Sequence, residues 1–266
     1  MSTLYYPQLV TGSVSQFPAR KEISRRTMVS RSAGGALIMM PDPEAGTLTW
    51  DLLYQGLTDV EMNAFEEFFA ACEGRLRPFV FLDPFGNLLR WTENLAEPVW
   101  QTSLGVEGGG EDPIGGIGAC RLTNAAQSAQ SISQTVDAPS WYRCVLSLWV
   151  RSSSADSVVL SLEAAGTSVS ARRRISPEWE RVLVSGAIPG EGNEIRCSIE
   201  VPGGSAVDIF GPQLSPQPDD SGYRRSLEVA GVYSARFDQD AIERTTYGPD
   251  NHTTRIRVVT LREINK

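Results

Sequence analysis

The stretch from residue 87 to about residue 222 constrains the fold most, because it shows no helical periodicity along its length. Short segments of alternating apolar and polar residues are separated there by clusters of Gly, Ser and Pro. In EIRCSIEV, the side chains of Ile195, Cys197, Ile199 and Val201 fall on one face of a strand. Short strands of this kind are typical of a β-sandwich or jelly roll, so we expect a mainly β protein.

One helix interrupts this pattern, in the segment LTDVEMNAFEEFFAACEG. Thr58 and Glu61 have the spacing of a capping box, and Phe65 and Phe69 recur at helical intervals on an apolar face. Gly74 supplies a C-terminal stop. The pattern predicts a helix over about residues 58–73 that is fixed mainly by packing of its phenylalanines.

Strands are predicted on both sides of this helix and at the end of the chain. RTMVSRSAGGALIMM predicts a hairpin turning at Gly34-Gly35, and TLTWDLLY alternates with one face buried. RPFVFLDPFGN contains a short strand with Phe79 and Phe81 on one side. The segments ARFDQDAIERTTYG and TTRIRVVTLREI, separated by GPDN, predict a terminal hairpin.

Composition and charge exclude several classes of protein. With 266 residues and 41% hydrophobic residues, the chain is long enough for two domains with buried cores. A net charge of −8 argues against nucleic-acid binding, and we expect the one dense basic run, Arg172-Arg173-Arg174, to be a solvated strand edge or a protein contact. No apolar run reaches about 20 residues and the first residues lack the features of a secretion signal, so we expect no membrane insertion and folding where the chain is made.

The sequence carries no signature of catalysis or of a cofactor. Its four cysteines are scattered and predict buried free thiols, and its one histidine, His252, lies in GPDNHTT and is expected at a surface turn. Nucleotide-binding and serine-hydrolase motifs are absent. Asp219-Asp220 are adjacent in a Pro-rich segment, where an extended chain points them apart, so we interpret them as solvating that segment. We therefore expect a protein that is not an enzyme and needs no cofactor.

Two sets of residues are candidates for binding. Glu107, Glu111 and Asp112 form an acidic, glycine-rich loop that can supply oxygens to calcium, although a solvated loop is the favoured interpretation. The second set comprises aromatic residues that, if exposed, would stack on a sugar ring or contact another protein. For each of them, packing in the core or in an interface is the alternative. These residues are Trp149, which faces outward if Leu146, Leu148 and Val150 face the core, and Trp100, Trp141 and Tyr142.

The segment WDLLYQGLTDVEMNAFEEFFAACEGRLRPFVFLDPFGN resembles the N-terminal core of the distal tail proteins of long-tailed bacteriophages and of phage-derived gene transfer agents. In that family an aromatic strand, a helix of the type LTxxExxAFxxFFxxxxG and a strand ending in FxFLDP occur together. The resemblance implies a structural ring, of six copies, that joins the tail tube to the baseplate hub.

The segments NLLRWTENLAEPVW, EDPIGGIGACRLTN, ISQTV, SLWVRSS and AVDIFGPQLSPQPDDSGYRRS resemble a carbohydrate-binding-module-like jelly roll that is inserted in many phage tail and fibre proteins. That family closes with Gly-x-Gln-Leu, a polar stretch and Ser-x-Tyr. The closing residues here are Gly211, Gln213, Leu214, Ser221 and Tyr223.

Together these resemblances imply a discontinuous tail-protein β-sandwich core with one helix, formed by residues 1–86 and 228–266. Residues 87–227 would be the inserted jelly roll, since a domain can be spliced into a surface loop of another. The implied location is the virion tail tip or baseplate, after assembly in the host cytoplasm. The implied partners are further copies of the chain, the tail tube protein, hub or neighbouring tail-tip proteins and host surface polysaccharide. A glycan-binding adhesin module and, less favoured, a glycan depolymerase are the alternatives.

Overall fold

A computed structural model of the chain describes residues 3–218 and 222–260. The chain divides into two compact units. The first comprises Met1–Val10, Ser15–Phe81 and Tyr233–Lys266, and the second comprises Thr11–Val14 and Leu82–Val232. The boundaries expected from the sequence, at residues 86/87 and 227/228, lie five residues inside the long segment of the second unit.

The elements follow one another along the chain as sixteen strands and one helix within the described residues. They are β1 Ala19–Arg31, β2 Leu37–Leu57, α1 Asp59–Ala71, β3 Phe79–Leu82, β4 Gln101–Thr102, β5 Gly105–Gly110, β6 Ala119–Asn124, β7 Gln130–Asp137, β8 Cys144–Arg151, β9 Ser157–Ala164, β10 Thr167–Arg174, β11 Glu180–Gly186, β12 Glu194–Val201, β13 Ser205–Ser215, β14 Val232–Phe237, β15 Thr245–Gly248 and β16 Asn251–Thr260. The fold class expected from the sequence, mainly β with one helix, is confirmed.

The first unit is built on one sheet with the strand order β1-β2-β16-β14-β3, in which β15 also pairs with β16. Alternation along β2 buries Trp50, Leu52 and Tyr54 completely. The Trp50 ring lies 4.8 Å from that of Phe81 between centroids. The core of this unit is therefore an aromatic cluster between the sheet and the helix α1.

Helix α1 begins and ends where local chemistry requires. The Thr58 hydroxyl accepts a hydrogen bond from the Glu61 backbone N–H at 3.2 Å, and a Glu61 carboxylate oxygen accepts from the Thr58 backbone N–H at 3.0 Å. The helix ends at Ala71, two residues earlier than expected, and Gly74 adopts φ 64° and donates to the Phe69 carbonyl at 3.1 Å.

The two phenylalanines expected to fix the helix differ in burial. Phe65 is 1% exposed and its ring centroid lies 4.7 Å from that of Tyr54. Phe69 is only partly buried and packs its ring against Phe237, with centroids 5.0 Å apart. Phe65 is therefore the central packing residue of α1, and Phe69 lies at the margin of the core.

The second unit is a sandwich of two five-stranded antiparallel sheets, with the orders β10-β9-β12-β7-β4 and β11-β8-β13-β6-β5. Ile195, Cys197, Ile199 and Val201 on β12 are all at most 1% exposed, as the alternation in EIRCSIEV indicates. The basic run Arg172-Arg173-Arg174 is exposed on β10, the outermost strand of its sheet.

Asn87 joins the start of this unit to its end. Its side-chain Nδ2 donates to the carbonyls of Pro212 and Arg224 at 3.0 and 3.1 Å, and its Oδ1 accepts from the backbone N–H groups of Leu89 and Leu214 at 3.0 and 3.1 Å. The side chain is 3% exposed, so these bonds satisfy a polar group that burial would otherwise penalise. The Asn of the opening motif and the Leu of the closing motif are thus in direct contact.

Tyr223 and Gln213 complete this closure. The Tyr223 hydroxyl lies 3.0 Å from Thr92 Oγ1 and donates to Glu93 at 3.0 Å, and its ring lies 4.9 Å from that of Phe210. Gln213 is fully buried and accepts from the Arg224 N–H at 2.7 Å. Ser221, like Asp219 and Asp220, lies outside the described residues.

Gly211 leaves room for the Tyr223 ring. It has φ 59°, and a Cβ built on it would lie 2.8 Å from the Tyr223 ring. We expect Gly211→Ala to lower the free energy of unfolding by about 2 to 4 kcal/mol, since it combines backbone strain with overpacking. Chemical denaturation would measure this.

Gly204→Ala is the matched control, because Gly204 has φ 67° and open space around its Cβ position. The difference between the two variants isolates the contact with Tyr223. Equal losses of stability in both would contradict the packing role of Gly211.

Candidate functional site

The first unit carries a two-stranded projection, residues 26–42, which we call the arm. Strand β1 pairs with β2 from Ala19 opposite Leu52 to Arg31 opposite Leu37, with an irregularity in the register between Ser24 and Arg26. Strand β16 pairs with β2 only between Leu57 and Thr49. Within the part of the chain that the structure describes, the arm is therefore a ribbon of two strands with no third strand beside it.

Local sequence explains how the arm forms. Gly35 has φ 83° in the turn, and Ser32 Oγ accepts a hydrogen bond from the Ala36 N–H at 3.0 Å. At the base, Arg26 Nε donates to Asp42 at 2.8 Å, across paired strands. The turn that the sequence predicts at Gly34-Gly35 is confirmed by these contacts.

Apolar side chains cover both faces of the arm and all of them are exposed. Register places Met28 opposite Met40 on one face and Val29 opposite Met39 on the other. The exposed fractions are Met28 44%, Val29 59%, Leu37 49%, Ile38 45%, Met39 64% and Met40 47%. The sequence does not reveal this feature, because an alternating pattern predicts one apolar and one polar face, whereas both faces of the arm carry apolar side chains.

An exposed apolar ribbon of this kind calls for a partner. A two-stranded hairpin alone is marginally stable in water, and proteins normally protect strand edges with charges, prolines or covering segments. A contiguous exposed apolar surface marks an interaction site. The arm is consequently the clearest candidate for an interface on the first unit.

Trp149 lies on β8 in the second unit, on the same face of the strand as Val145 and Ser147, which are 2% and 1% exposed. Leu146, Leu148 and Val150 are completely buried, so Trp149 lies on the opposite face as expected. Trp149 is nevertheless only partly exposed, and the Arg181 guanidinium lies 5.8 Å from its ring centroid. Its indole Nε1 is buried without a hydrogen-bond partner among the described residues. One face of this tryptophan is thus already covered.

A row of charged and aromatic residues crosses the same face. The Arg151 guanidinium lies 4.6 Å from the Trp179 ring centroid and bonds to Asp208 at 3.0 Å, and Arg121 bonds to Asp208 at 2.7 Å. Burial opposes ionisation of Asp208, but the hydrogen bonds from Arg121 and Arg151 outweigh it and lower the pKa of that carboxyl. Sequence reasoning missed Trp179, because its contact with Arg151 joins residues that are 28 positions apart in the chain.

The remaining aromatic candidates separate into buried and exposed residues. Trp100 is 4% exposed and its Nε1 donates to the Trp91 carbonyl at 3.2 Å. Tyr142 is 5% exposed, whereas Trp141 is 48% exposed. The rings of Trp141 and Tyr142 meet edge to face with centroids 6.1 Å apart. Trp100 and Tyr142 are therefore packing residues, and Trp141 is the available surface.

A polar groove of about 470 Å³ opens on the other sheet, with Thr135, Glu163, Glu194 and Arg196 among its lining residues. The lining residues all lie in the part of the chain that the structure describes, and none of them is aromatic. Arg196 Nε donates to Ser133 Oγ at 3.0 Å. The groove was missed by sequence reasoning because its residues come from separate strands without a shared motif.

The calcium candidates do not converge on a metal site. Both Asp112 carboxylate oxygens accept backbone N–H bonds, from Ile114 and Gly116 at 3.0 and 2.8 Å and from Gly118 at 2.9 Å. Burial opposes ionisation, but these bonds lower the pKa of Asp112 overall. Glu107 lies opposite Arg121 on β5, away from that loop. No group of three or more potential metal ligands occurs among the described residues.

His252 corrects a second expectation. Rather than lying at a surface turn, it belongs to β16 and is 2% exposed, because β16 begins two residues earlier than the sequence indicates. Its Nε2 lies 2.6 Å from Asp59 and its Nδ1 lies 3.0 Å from Thr246 Oγ1. Arg244 also bonds to Asp59, at 2.8 Å. His252 therefore ties the end of the sheet to the first turn of α1.

The four cysteines are free and buried, as expected. Burial raises the pKa of the Cys72 thiol to about 11 and that of Cys144 to about 12. The raised pKa values keep these thiols protonated at neutral pH.

Comparison with known proteins yields solved structures that are similar over about half of this chain. The enzymatically active domain of tailspike protein 4 of bacteriophage CBA120 matches with a TM-score of 0.42 and 12% identity, over 51% of this chain and 22% of that one. TmCBM61 in complex with β-1,4-galactotriose matches with a TM-score of 0.38 and 17% identity, over 48% of this chain and 97% of that one. The CBM22-1 xylan-binding domain of Paenibacillus barcinonensis Xyn10C matches with a TM-score of 0.37 and 14% identity, over 46% of this chain and 87% of that one. This chain thus spans about a fifth of the tailspike domain.

No protein-family model and no curated protein sequence matches the chain. In the described part of the chain no helix has the length and apolarity needed to span a membrane.

Proposed function

We propose that this protein is a structural component of a phage tail tip that assembles into a ring through its arm. The observation that carries the proposal is the two-stranded ribbon with exposed apolar side chains on both faces. The open strand edges and apolar side chains of the arm become covered when another copy of the chain binds them. The segment from Trp50 to Asn87, which resembles distal tail proteins, supplies the expected location in the virion.

A ring follows if the arm of each copy contacts a different surface on the next copy, since head-to-tail contacts close into a ring when the rotation permits. Six copies, a tail tube protein on one side and a baseplate hub or tail-tip protein on the other are the arrangement that the resemblance implies. The second unit would then project from the ring as a separate module.

Sedimentation velocity over a concentration series tests this proposal. The chain mass is 29.0 kDa, so a hexamer would sediment as one species of about six times that mass. A fixed mass across concentrations supports a closed assembly, whereas mass that grows with concentration indicates open polymerisation.

We infer that the protein acts without catalysis. A glycan depolymerase needs two opposed carboxyl groups, one of them with a raised pKa. The pKa of Asp51 is lowered by its hydrogen bond from Arg255, and those of Asp112 and Asp208 are lowered by their donors despite burial. These carboxylates serve as acceptors in structural contacts.

Contact with a host surface polysaccharide is a second candidate function, favoured by the exposure of Trp141. Trp141 is 48% exposed, and its ring packs edge to face against the buried Tyr142. Because this contact already restricts the ring, less conformational entropy is lost when a sugar stacks on it. A ring of such sites multiplies weak binding, because linked sites add avidity without new contacts.

We expect Trp141→Ala to weaken polysaccharide binding per site by about tenfold, which corresponds to about 1.4 kcal/mol. Trp149→Ala should weaken it less, since Arg181 covers one face of that ring. Calorimetry with a panel of purified bacterial surface polysaccharides would measure both. Unchanged binding in Trp141→Ala would remove that residue from the proposed surface.

A further inference from the structure

We propose that the arm of one copy docks into an apolar pocket at the opposite edge of the sheet in a second copy. This inference rests on the proposed ring and specifies its contact. Strand β1, which forms half of the arm, lies at one end of the sheet order, and β3 lies at the other end.

The pocket has a volume of about 570 Å³ and lies beside β3, in the first unit. Its apolar lining includes Leu4, Ala71, Pro78, Phe79 and Val80. A volume within the range of about 300 to 1,000 Å³ that accommodates drug-sized ligands is enough for several aliphatic side chains. The pocket therefore suits the methionine and aliphatic residues at the tip of the arm.

The two edges also carry opposite charge. Strand β1 contains five basic residues and one acidic residue, Glu22. The segment from Thr58 to Gly74, which contains α1 and ends beside the pocket, has five acidic residues and no Lys or Arg. Opposite potentials steer association and fix its register.

Basic residues near the pocket are already paired with acidic ones. Arg77 contacts Glu73 at 2.5 Å, and Arg75 contacts Asp240 at 3.1 Å. Arg77, which lines the pocket, and Arg244, which contacts Asp59 at 2.8 Å, offset two of the five acidic residues. The Thr58–Gly74 segment therefore keeps an excess of three acidic side chains toward an approaching basic strand.

The geometry selects a second copy as the occupant of the pocket. Each copy has one arm and one pocket at different places, so their contact is heterologous and every copy uses both. An arm-to-arm contact would instead be isologous and would stop at a dimer, leaving the pocket empty. Arm into pocket is the pairing that is compatible with a closed ring.

Cysteine cross-linking tests the contact directly. Met39→Cys places a thiol at the exposed tip of the arm, and Ser234→Cys places one in the lining of the pocket. The native cysteines are buried and do not compete. With a short bismaleimide we expect the double variant to form a covalent ladder up to the full ring on a denaturing gel, and each single variant to remain uncross-linked.

Cross-linking of Met39→Cys alone, in a protein that still assembles, would overturn the inference and leave the proposed ring intact. A wild-type protein that sediments as a monomer before cross-linking would instead overturn the proposed function.

Blocking the pocket provides a second measurement. Ala71→Arg fills the pocket and should raise the concentration at which the ring dissociates by at least about tenfold. Ala125→Arg, at an exposed position of the second unit and outside both the pocket and α1, adds the same charge and should leave assembly unchanged. Equal behaviour of the two variants would overturn the inference.

Discussion

Val29→Ser, Leu37→Ser and Met39→Ser, combined in one chain, are expected to convert the proposed ring into folded monomers. These residues share one face of the arm and are 49 to 64% exposed in the single copy, so their replacement removes no core packing. Each side chain that is buried on assembly contributes about 1.5 to 3 kcal/mol. Losing three such contacts should raise the dissociation constant between neighbours by at least about a thousandfold.

Light scattering coupled to size exclusion would measure the change in mass, and circular dichroism would show that the fold is kept. The matched control replaces three equally apolar and exposed residues of the second unit, Ile114, Ile117 and Val229, with serine. That variant should retain the ring. If the arm variant kept the wild-type mass, the arm would not be the assembly surface.

Replacing residues 84–230 with an Asn-Gly turn is expected to leave a folded, ring-forming first unit. Strands β3 and β14 are neighbours in the sheet, and the Asp83 N–H donates to the Gly231 carbonyl at 2.7 Å, so the two ends of the excised segment lie side by side. A two-residue Asn-Gly turn joins neighbouring antiparallel strands readily. The aromatic core around Trp50, Phe65 and Phe81 belongs entirely to the first unit.

Thermal unfolding and sedimentation of the shortened chain would test this expectation. One cooperative transition and a ring of smaller mass are the expected results. An unfolded product would show that the first unit depends on the excised segment and that the chain is not a core with an inserted domain.

Local patterns account for the parts of the fold that the sequence predicts well. The capping residues of α1 and the alternation in β2 and β12 act over a few residues, and each element forms as those residues indicate. Asn87 of the opening motif bonds to Leu214 of the closing motif, and Tyr223 bonds to Thr92, each across more than a hundred residues. No local pattern links these distant segments, and only the resemblance to an inserted jelly roll predicts that they belong to one domain.

Long-range contacts explain what the sequence does not predict. Trp149 lies on the face of β8 away from the core, as the alternation predicts, but Arg181, which covers its ring, lies 32 residues further along the chain on β11. Likewise, the burial of His252 depends on Asp59, almost 200 residues earlier. The open strand edges of the arm follow from where β16 stops pairing with β2, which no local pattern shows.

Electron microscopy of the purified wild-type protein in negative stain tests the central claim most directly. We expect closed rings of one fixed copy number, with the arm of each copy reaching its neighbour. The claim would be contradicted if the wild-type protein appeared only as isolated particles the size of a single 29.0-kDa chain, and if these looked the same as particles of the arm variant at the same concentration.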